Sequence, residues 1–181
     1  MKKSKIFLLA LLMVIAFSLV GCGQDSTSEE GTSDEAEAET AEVVEDTVLA
    51  VGEPWVVDGQ WQLTIDSVEV TADRNEYEES VPAQVIMIHY SYENLGYEDP
   101  SGIWNGLYMS LDTDTQVIDS QGNMCRTYPL GDSYPQETPV GAKCSADACY
   151  GLVAEGSPVK MIVNMYDANM DQQEATFELT F

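Results

Sequence analysis

The sequence predicts an all-β domain, an antiparallel β-sandwich that occupies residues 49–181. Three observations predict this class: apolar residues alternate with polar ones at a period of two, the alternating segments are short, and turn-forming residues separate them. A segment of this length is enough to bury one hydrophobic core but not two. The preceding segment, 1–48, has a different composition and is predicted not to join this fold.

The first two long strands have different patterns. Over 61–70 the alternation slips by one residue near 66–67, as a β-bulge would produce. Over 83–93 apolar residues occupy both faces, which is typical of a central strand. The alternating apolar positions of the first strand are Trp61, Leu63 and Ile65, then Val68 and Val70.

Five further segments are predicted to be short strands, and residues 120–123, between Ile118 and Met124, are predicted to form a hairpin turn. The last segment alternates most clearly, with Ala175, Phe177, Leu179 and Phe181 on one face. A total of about seven to nine strands in this length favours an immunoglobulin-like sandwich over a barrel. The five segments are 107–113, 115–119, 149–153, 159–166 and 174–181.

Residues 1–21 are predicted to be a lipoprotein signal peptide. Lysines at the start precede an apolar stretch, 6–20, that is shorter than the ~20 residues of a membrane-spanning helix. Leu19-Val20-Gly21-Cys22 resembles the bacterial lipobox, in which the cysteine thiol takes a diacylglycerol and the signal is cleaved before it. The alternative is an ordinary signal peptide with a chance cysteine.

Residues 22–48 are predicted to be the lipidated cysteine followed by a disordered acidic tether. Two acyl chains, such as palmitate, hold a protein on a membrane where one chain holds it only marginally. Lipidation of Cys22 therefore predicts a cell-membrane protein that faces the extracellular or periplasmic side. From 23 onward the segment has ten acidic residues and no Lys, Arg or aromatic residue, which predicts an extended spacer. An acidic tail that binds a partner or cations is the alternative.

Three turn motifs in the predicted domain, together with the lipobox and the tether, resemble one family. The motifs are Tyr90-Ser91-Tyr92-Glu93-Asn94 with Gly96, Asp119-Ser120-Gln121-Gly122, and Pro139-Val140-Gly141. They are similar to those of bacterial lipoproteins, common in Gram-positive species, that carry an immunoglobulin-like domain of unknown function. The resemblance covers most of 51–181 but not 98–108 or the three cysteines. It implies an immunoglobulin-like sandwich on a surface lipoprotein and no catalytic residues.

Charge and composition exclude several functions. The net charge of −25 excludes nucleic acid as a partner, because phosphate contacts need clustered Lys and Arg. The single histidine, His89, lies in a predicted strand, where a packed or sheet-surface role is preferred over that of a catalytic base. The sequence has no Gly-rich phosphate loop, which disfavours nucleotide binding. No catalytic residues are predicted, and an enzyme ranks third, after a binding module and a structural or inhibitor-like module.

Three cysteines of the domain, Cys125, Cys144 and Cys149, are disulfide candidates, because thiols outside the membrane meet an oxidising environment. Cys144 and Cys149 can meet only if the four residues between them turn back. Cys125 is therefore the preferred member, bonded to Cys144 or, less favourably, to Cys149. A redox-active or partner-linking thiol is the alternative, and zinc is disfavoured by the spacing.

Weak calcium binding is predicted as a minor possibility at Asp167, Asn169 and Asp171, which have EF-hand spacing at positions 1, 3 and 5. The loop lacks the glycine required at position 6, where Gln172 stands, and alternating strands flank it. A polar hairpin loop is therefore the preferred interpretation. No other cofactor is predicted.

The aromatic loop, residues 97–108, supplies the candidate ligand-binding residues Tyr97, Trp104 and Tyr108. Aromatic rings in loops at one end of a sandwich stack on sugars or anchor protein interfaces. The preferred alternative is that Trp104 folds back and plugs the end of the sandwich. The sequence predicts a binding module for a protein or cell-envelope glycan partner; the alternative is a structural or inhibitor-like surface module.

Overall fold

The structure is a computed structural model that describes residues 48–113 and 115–181. The predicted signal peptide, Cys22 and residues 23–47 of the predicted tether lie outside this range. The described residues form nine β-strands and no helix, so the all-β prediction is confirmed. None of these residues forms a helix long and apolar enough to cross a membrane.

Strand lengths differ widely, from three to eleven residues. The strands, in chain order, are β1 (Val48–Ala50), β2 (Pro54–Val57), β3 (Trp61–Thr71), β4 (Gln84–Asn94), β5 (Thr115–Ile118), β6 (Met124–Thr127), β7 (Lys143–Leu152), β8 (Val159–Tyr166) and β9 (Gln172–Leu179).

Backbone hydrogen bonds join the strands into one sheet, in the order β1-β9-β8-β5-β6-β7-β4-β3-β2. Every neighbouring pair in the described residues is antiparallel except β1 and β9, which run parallel with Leu49 opposite Phe177. The sheet is therefore mixed, where the sequence predicts a wholly antiparallel one. Strand alternation does not reveal direction, because the apolar period is two in both cases.

The sheet curves so that its two halves share one main core. The short strand β6 links the halves, since it pairs with β5 on one side and β7 on the other. Buried apolar residues of both halves belong to a single cluster, among them Trp61, Leu63, Ile65, Ile86 and Ile88 from β3 and β4, and Val117, Met161, Phe177 and Leu179 from β5, β8 and β9.

Both predicted features of the long strands are confirmed. The pairing of β3 with β4 shifts register between Ile65 and Ser67, where the sequence predicts a bulge. Strand β4 lies between β3 and β7, which explains its apolar residues on both faces. Beyond the bulge the end of β3 leaves the core, since Val70 is 50% exposed.

Residues 107–113, predicted as a strand, are not one. Leu107 forms only an isolated bridge with Thr138. Met109 and Leu111 are buried, which produces the strand-like alternation, but tyrosine hydroxyls take the place of a partner strand. Tyr90 donates to the carbonyl of Met109 at 3.1 Å, and Tyr150 donates to that of Leu111.

Other differences concern short or inconspicuous strands. Strand β7 begins at Lys143, well before the predicted 149–153, and its buried Ala146 and Ala148 give a weak apolar signal. Strands β1 and β2 are not predicted, and β6 is predicted only as the strand that must follow the hairpin turn at 120–123. The predicted hairpin at 120–123 is confirmed, and the buried Asp119 holds it by accepting from the backbone N–H groups of Gln121 and Asn123.

Candidate functional site

Two of the three predicted ligand-binding residues lie face to face on the surface. The rings of Trp104 and Tyr108 stack with their centroids 5.4 Å apart and an angle of 12° between their planes. Trp104 is 49% exposed and Tyr108 is 39% exposed. We call this pair the aromatic platform. The alternative interpretation of the sequence expects Trp104 to fold back and plug the end of the domain. The exposed position of Trp104 does not agree with that expectation.

Asp99 fixes the turn that presents Trp104. One carboxylate oxygen, Oδ2, accepts from the backbone N–H groups of Trp104 at 2.8 Å and Ile103 at 2.9 Å. It also accepts from the Ser101 hydroxyl at 2.6 Å. The Ser101 hydroxyl and the Trp104 N–H hold the pKa of Asp99 well below its ordinary value, at about 2. A charged Asp99 is therefore part of the turn at neutral pH.

Gly106 brings the other end of the loop against a neighbouring segment. Leu107 exchanges two backbone hydrogen bonds with Thr138, at 2.8 and 2.9 Å. A Cβ on Gly106 would lie 2.4 Å from the Thr138 carbonyl oxygen, and the residue has a φ of +152°. Only glycine fits this approach without strain. The aromatic platform is thus anchored on both sides of Trp104.

A cleft of about 560 Å³ lies beside the aromatic platform, and Tyr108 is part of both. Buried apolar side chains, including Leu63 and Leu111, and amide or hydroxyl side chains line it together. Gln172 donates from Nε2 to Oδ1 of Asn164 at 2.7 Å across this lining. The lining residues are Leu63, Tyr108, Met109, Ser110, Leu111, Thr113, Thr115, Gln116, Val163, Asn164, Met165, Tyr166 and Gln172.

Tyr97, the third predicted ligand residue, belongs to the core and not to the platform. Its ring meets Trp61 edge to face, with centroids 5.8 Å apart. The backbone N–H of Tyr97 donates to Oδ1 of Asn94 at 2.7 Å and to the carbonyl of Gln60 at 3.2 Å. Tyr97 therefore positions the start of the aromatic loop.

The predicted disulfide of Cys125 is absent, and all three described cysteines are free. Arg126, next to Cys125, pairs with Gly151, which lies seven positions along β7 from Cys144. At ~3.3 Å per residue, about 23 Å separates these two positions, far beyond disulfide distance. Cys144 and Cys149 both lie in the extended strand β7 and cannot turn towards each other.

The less favoured partner of Cys125, Cys149, lies on the other face of the sheet. Cys125 belongs to the main core, whereas Cys149 packs with Val85 and Tyr128 in a second cluster. Burial raises the pKa of Cys149 to about 11 and also raises that of Cys125. Both thiols stay protonated at neutral pH, a state of low reactivity.

The predicted calcium residues form the turn between β8 and β9. Oδ1 of Asp167 accepts from the backbone N–H groups of Asn169 at 2.8 Å and Asp171 at 3.0 Å. Its Oδ2 accepts from Nε2 of Gln173 at 3.1 Å. Hydrogen-bond donors of the protein thus occupy both carboxylate oxygens of Asp167. This arrangement agrees with the polar hairpin loop that is the preferred interpretation of the sequence. In the described range no three His, Cys, Asp or Glu side chains are grouped as metal ligands.

His89 lies on the sheet surface between two acids. Its Nδ1 is 2.7 Å from Oδ1 of Asp147 on β7, and its Nε2 is 3.7 Å from Oε1 of Glu69 on β3. Both ring nitrogens therefore face carboxylates of neighbouring strands. The contacts are those of a residue that bridges strands.

The Asp99 turn is expected to open in acid. A lowered pKa means that the carboxylate stabilises the folded loop above pH ~4, and that this stabilisation is lost as the pH falls towards 2. We expect the emission of Trp104, measured as the difference between wild type and Trp104→Phe, to change over this range. The Asp99→Asn variant should already show the acid-like emission at pH 7.

An exposed acid without such contacts provides the control. Asp132→Asn should behave like the wild type, because no side-chain hydrogen bond of Asp132 is formed within the described residues. Far-ultraviolet circular dichroism identifies the pH at which the whole domain unfolds. Identical titrations of wild type and Asp99→Asn would contradict the assigned role.

The fold and the site together define an all-β domain with an exposed aromatic platform beside a cleft whose described lining residues are uncharged. No protein-family model and no curated protein matches the sequence. The yjhA protein from Bacillus subtilis has a similar structure, with a TM-score of 0.52 and 13% identity over 74% of this chain and 100% of that chain. MPT63, a secreted protein from Mycobacterium tuberculosis, has a TM-score of 0.48 and 9% identity over 73% and 98%. The first likeness concerns the fold alone.

Sequence reasoning missed the residues that hold and extend the platform. The Asp99 turn has a signal, because Asp-Pro-Ser-Gly at 99–102 combines an Asx-turn acceptor with turn formers. No sequence signal marks Asn164 and Gln172 as cleft residues, because an amide side chain in a cleft has the same sequence pattern as one on an open surface.

Proposed function

We propose that the protein is a lipid-anchored extracytoplasmic lipoprotein whose domain, an immunoglobulin-like β-sandwich, is a binding module for a partner in the cell envelope. The lipobox around Cys22 supports the anchor, and the turn motifs at Asn94 and Asp119 support the family resemblance. In this proposal the domain binds its partner and performs no reaction.

The aromatic platform is the observation that carries the binding proposal. Two large rings are held at the surface by the Asp99 turn and by the pairing of Leu107 with Thr138. Tryptophan and tyrosine dominate the binding energy of interfaces when a partner desolvates them. The rigid turn lowers the entropy lost on binding, because the rings are already ordered.

Removal of both platform rings should strongly weaken envelope binding. We expect the full chain with Trp104→Ala and Tyr108→Ala, purified and kept in detergent, to bind about 30-fold more weakly to detergent-extracted cell envelopes of the source organism from which the gene has been deleted. The extraction removes the bilayer, so the lipid on Cys22 has no membrane to enter. Co-sedimentation over a range of protein concentrations measures the affinity. Binding weakens because the variant loses the aromatic surface on which the partner stacks. The fold is retained because neither substitution removes a buried core residue.

Tyr77→Ala is the matched control, because Tyr77 is a highly exposed tyrosine of the loop between β3 and β4. It should bind like the wild type. Equal binding by the platform variant and the wild type, or no envelope binding by the wild type, contradicts the proposed function.

A further inference from the structure

We infer that the partner is an uncharged carbohydrate chain, with one sugar ring on the aromatic platform and the next in the cleft. The inference rests on the proposed function and names the ligand class of the same site. Charge, side-chain chemistry and the continuity of the two surfaces support it in turn.

Charge comes first. The domain has 22 Asp and Glu residues against four Lys and Arg, a net charge of −18. Yet none of the described residues that line the cleft is charged. The acidic domain repels an anionic polymer, and the described lining residues offer no acid to a cationic one. The described lining therefore favours an uncharged ligand.

The side chains of the cleft match the two chemical characters of a sugar. A pyranose ring has apolar C–H faces and a rim of hydroxyl groups. Tyr108, Met165 and Tyr166, which are exposed or half-buried, supply apolar surface, and the amides of Asn164 and Gln172 supply hydrogen bonds. Their mutual bond uses one donor and one acceptor, which leaves Oε1 of Gln172 and Nδ2 of Asn164 without another partner in the described residues. Hydroxyls both donate and accept, so they suit this pair.

Tyr108 makes the two surfaces continuous. It stacks on Trp104 and also lines the cleft, so a ligand can cross from one to the other without leaving the protein. The cleft volume of about 560 Å³ is in the range of small-molecule sites. One pyranose ring stacks a C–H face on the exposed indole of Trp104, while the next sugar of the same chain enters the cleft. A chain of at least two sugars fits this arrangement better than a single sugar.

The experiment uses the full chain and the gene-deleted envelopes described above. Samples of the envelopes are treated with periodate, which cleaves sugar vicinal diols, or with a protease. We expect periodate to abolish binding and protease treatment to leave it intact. We also expect less than a two-fold change in affinity between about 0.05 and 0.5 M NaCl, because an uncharged ligand forms no ion pairs to screen.

A residue of the cleft and a residue outside it sharpen the test. Gln172→Ala should weaken binding three- to ten-fold, since it removes hydrogen bonds to the sugar. Ile103→Ser should leave the affinity within two-fold, although Ile103 is an exposed apolar neighbour of Trp104 that a protein partner would bury. Tyr77→Ala is again the control.

The outcomes separate this inference from the proposed function. Binding that needs the aromatic platform but survives periodate overturns the carbohydrate inference alone, and its loss with protease identifies a protein partner. A large salt effect overturns the uncharged character of the ligand. Binding that does not need the platform overturns both.

Discussion

Replacement of Asn94 by alanine should lower the free energy of unfolding by about 3 kcal/mol, because the side chain is fully buried and makes four hydrogen bonds. Its Nδ2 donates to the carbonyls of Tyr97 at 3.0 Å and Thr138 at 2.9 Å. Its Oδ1 accepts from the backbone N–H groups of Gly96 at 3.0 Å and Tyr97 at 2.7 Å. Alanine would leave these four backbone groups without the amide.

Urea unfolding of the full chain measures this change, and the melting temperature should fall by about 10 °C. Asn105→Ala is the matched control, because Asn105 is exposed and its side chain forms no hydrogen bond within the described residues. It should change stability by less than about 0.5 kcal/mol. If Asn94→Ala lowers the free energy of unfolding by less than about 1 kcal/mol, the four hydrogen bonds of the amide do not stabilise the fold as we describe.

Replacement of Gly106 by alanine should cost about 3 kcal/mol and disrupt the aromatic platform. The added Cβ would lie 2.4 Å from the oxygen and 2.6 Å from the carbon of the Thr138 carbonyl, so backbone must move. The φ of +152° adds strain for any residue with a Cβ. Separation of Leu107 from Thr138 follows, and the emission of Trp104 should shift along with the melting temperature.

Gly102 in the same loop isolates the clash from the backbone strain. It has a φ of +66°, and a Cβ there would meet no atom within 4 Å. Gly102→Ala should therefore cost only about 1 kcal/mol, the ordinary penalty of a left-handed conformation. Equal costs for the two substitutions would refute the close approach of Gly106 to Thr138.

The long strands could be predicted because packing against one core imposes a period of two on them. In β3, β4 and β8 most of the buried residues are large and apolar, so the alternation is visible. Residues 107–113 share that alternation without a partner strand, since side-chain burial and backbone pairing are separate requirements. Strand β7 shows the reverse: its backbone is paired with β4 throughout, but alanines at 146 and 148 conceal the pattern.

The candidate site could be predicted in part. The exposed stack of Trp104 on Tyr108 depends on the turn at Asp99 and on the approach of Gly106 to Thr138, which is distant in sequence. The disulfide prediction for Cys125 was wrong for a similar reason. Sequence spacing allows that bridge, but only the strand pairing shows that Cys125 and Cys149 lie on opposite faces of the sheet.

The parallel pairing of β1 with β9 governs when the domain can finish folding. Val48 meets Thr176, so nearly the whole length of the domain separates the partners along the chain. Contacts of such long sequence separation slow folding, because a large loop must close before they form. During synthesis the first strand of the sheet is made first and its partner last. The edge of the sheet therefore closes only after the C-terminal strand has emerged, and a chain truncated before β9 leaves β1 unpaired and β8 paired on one side only, with β5.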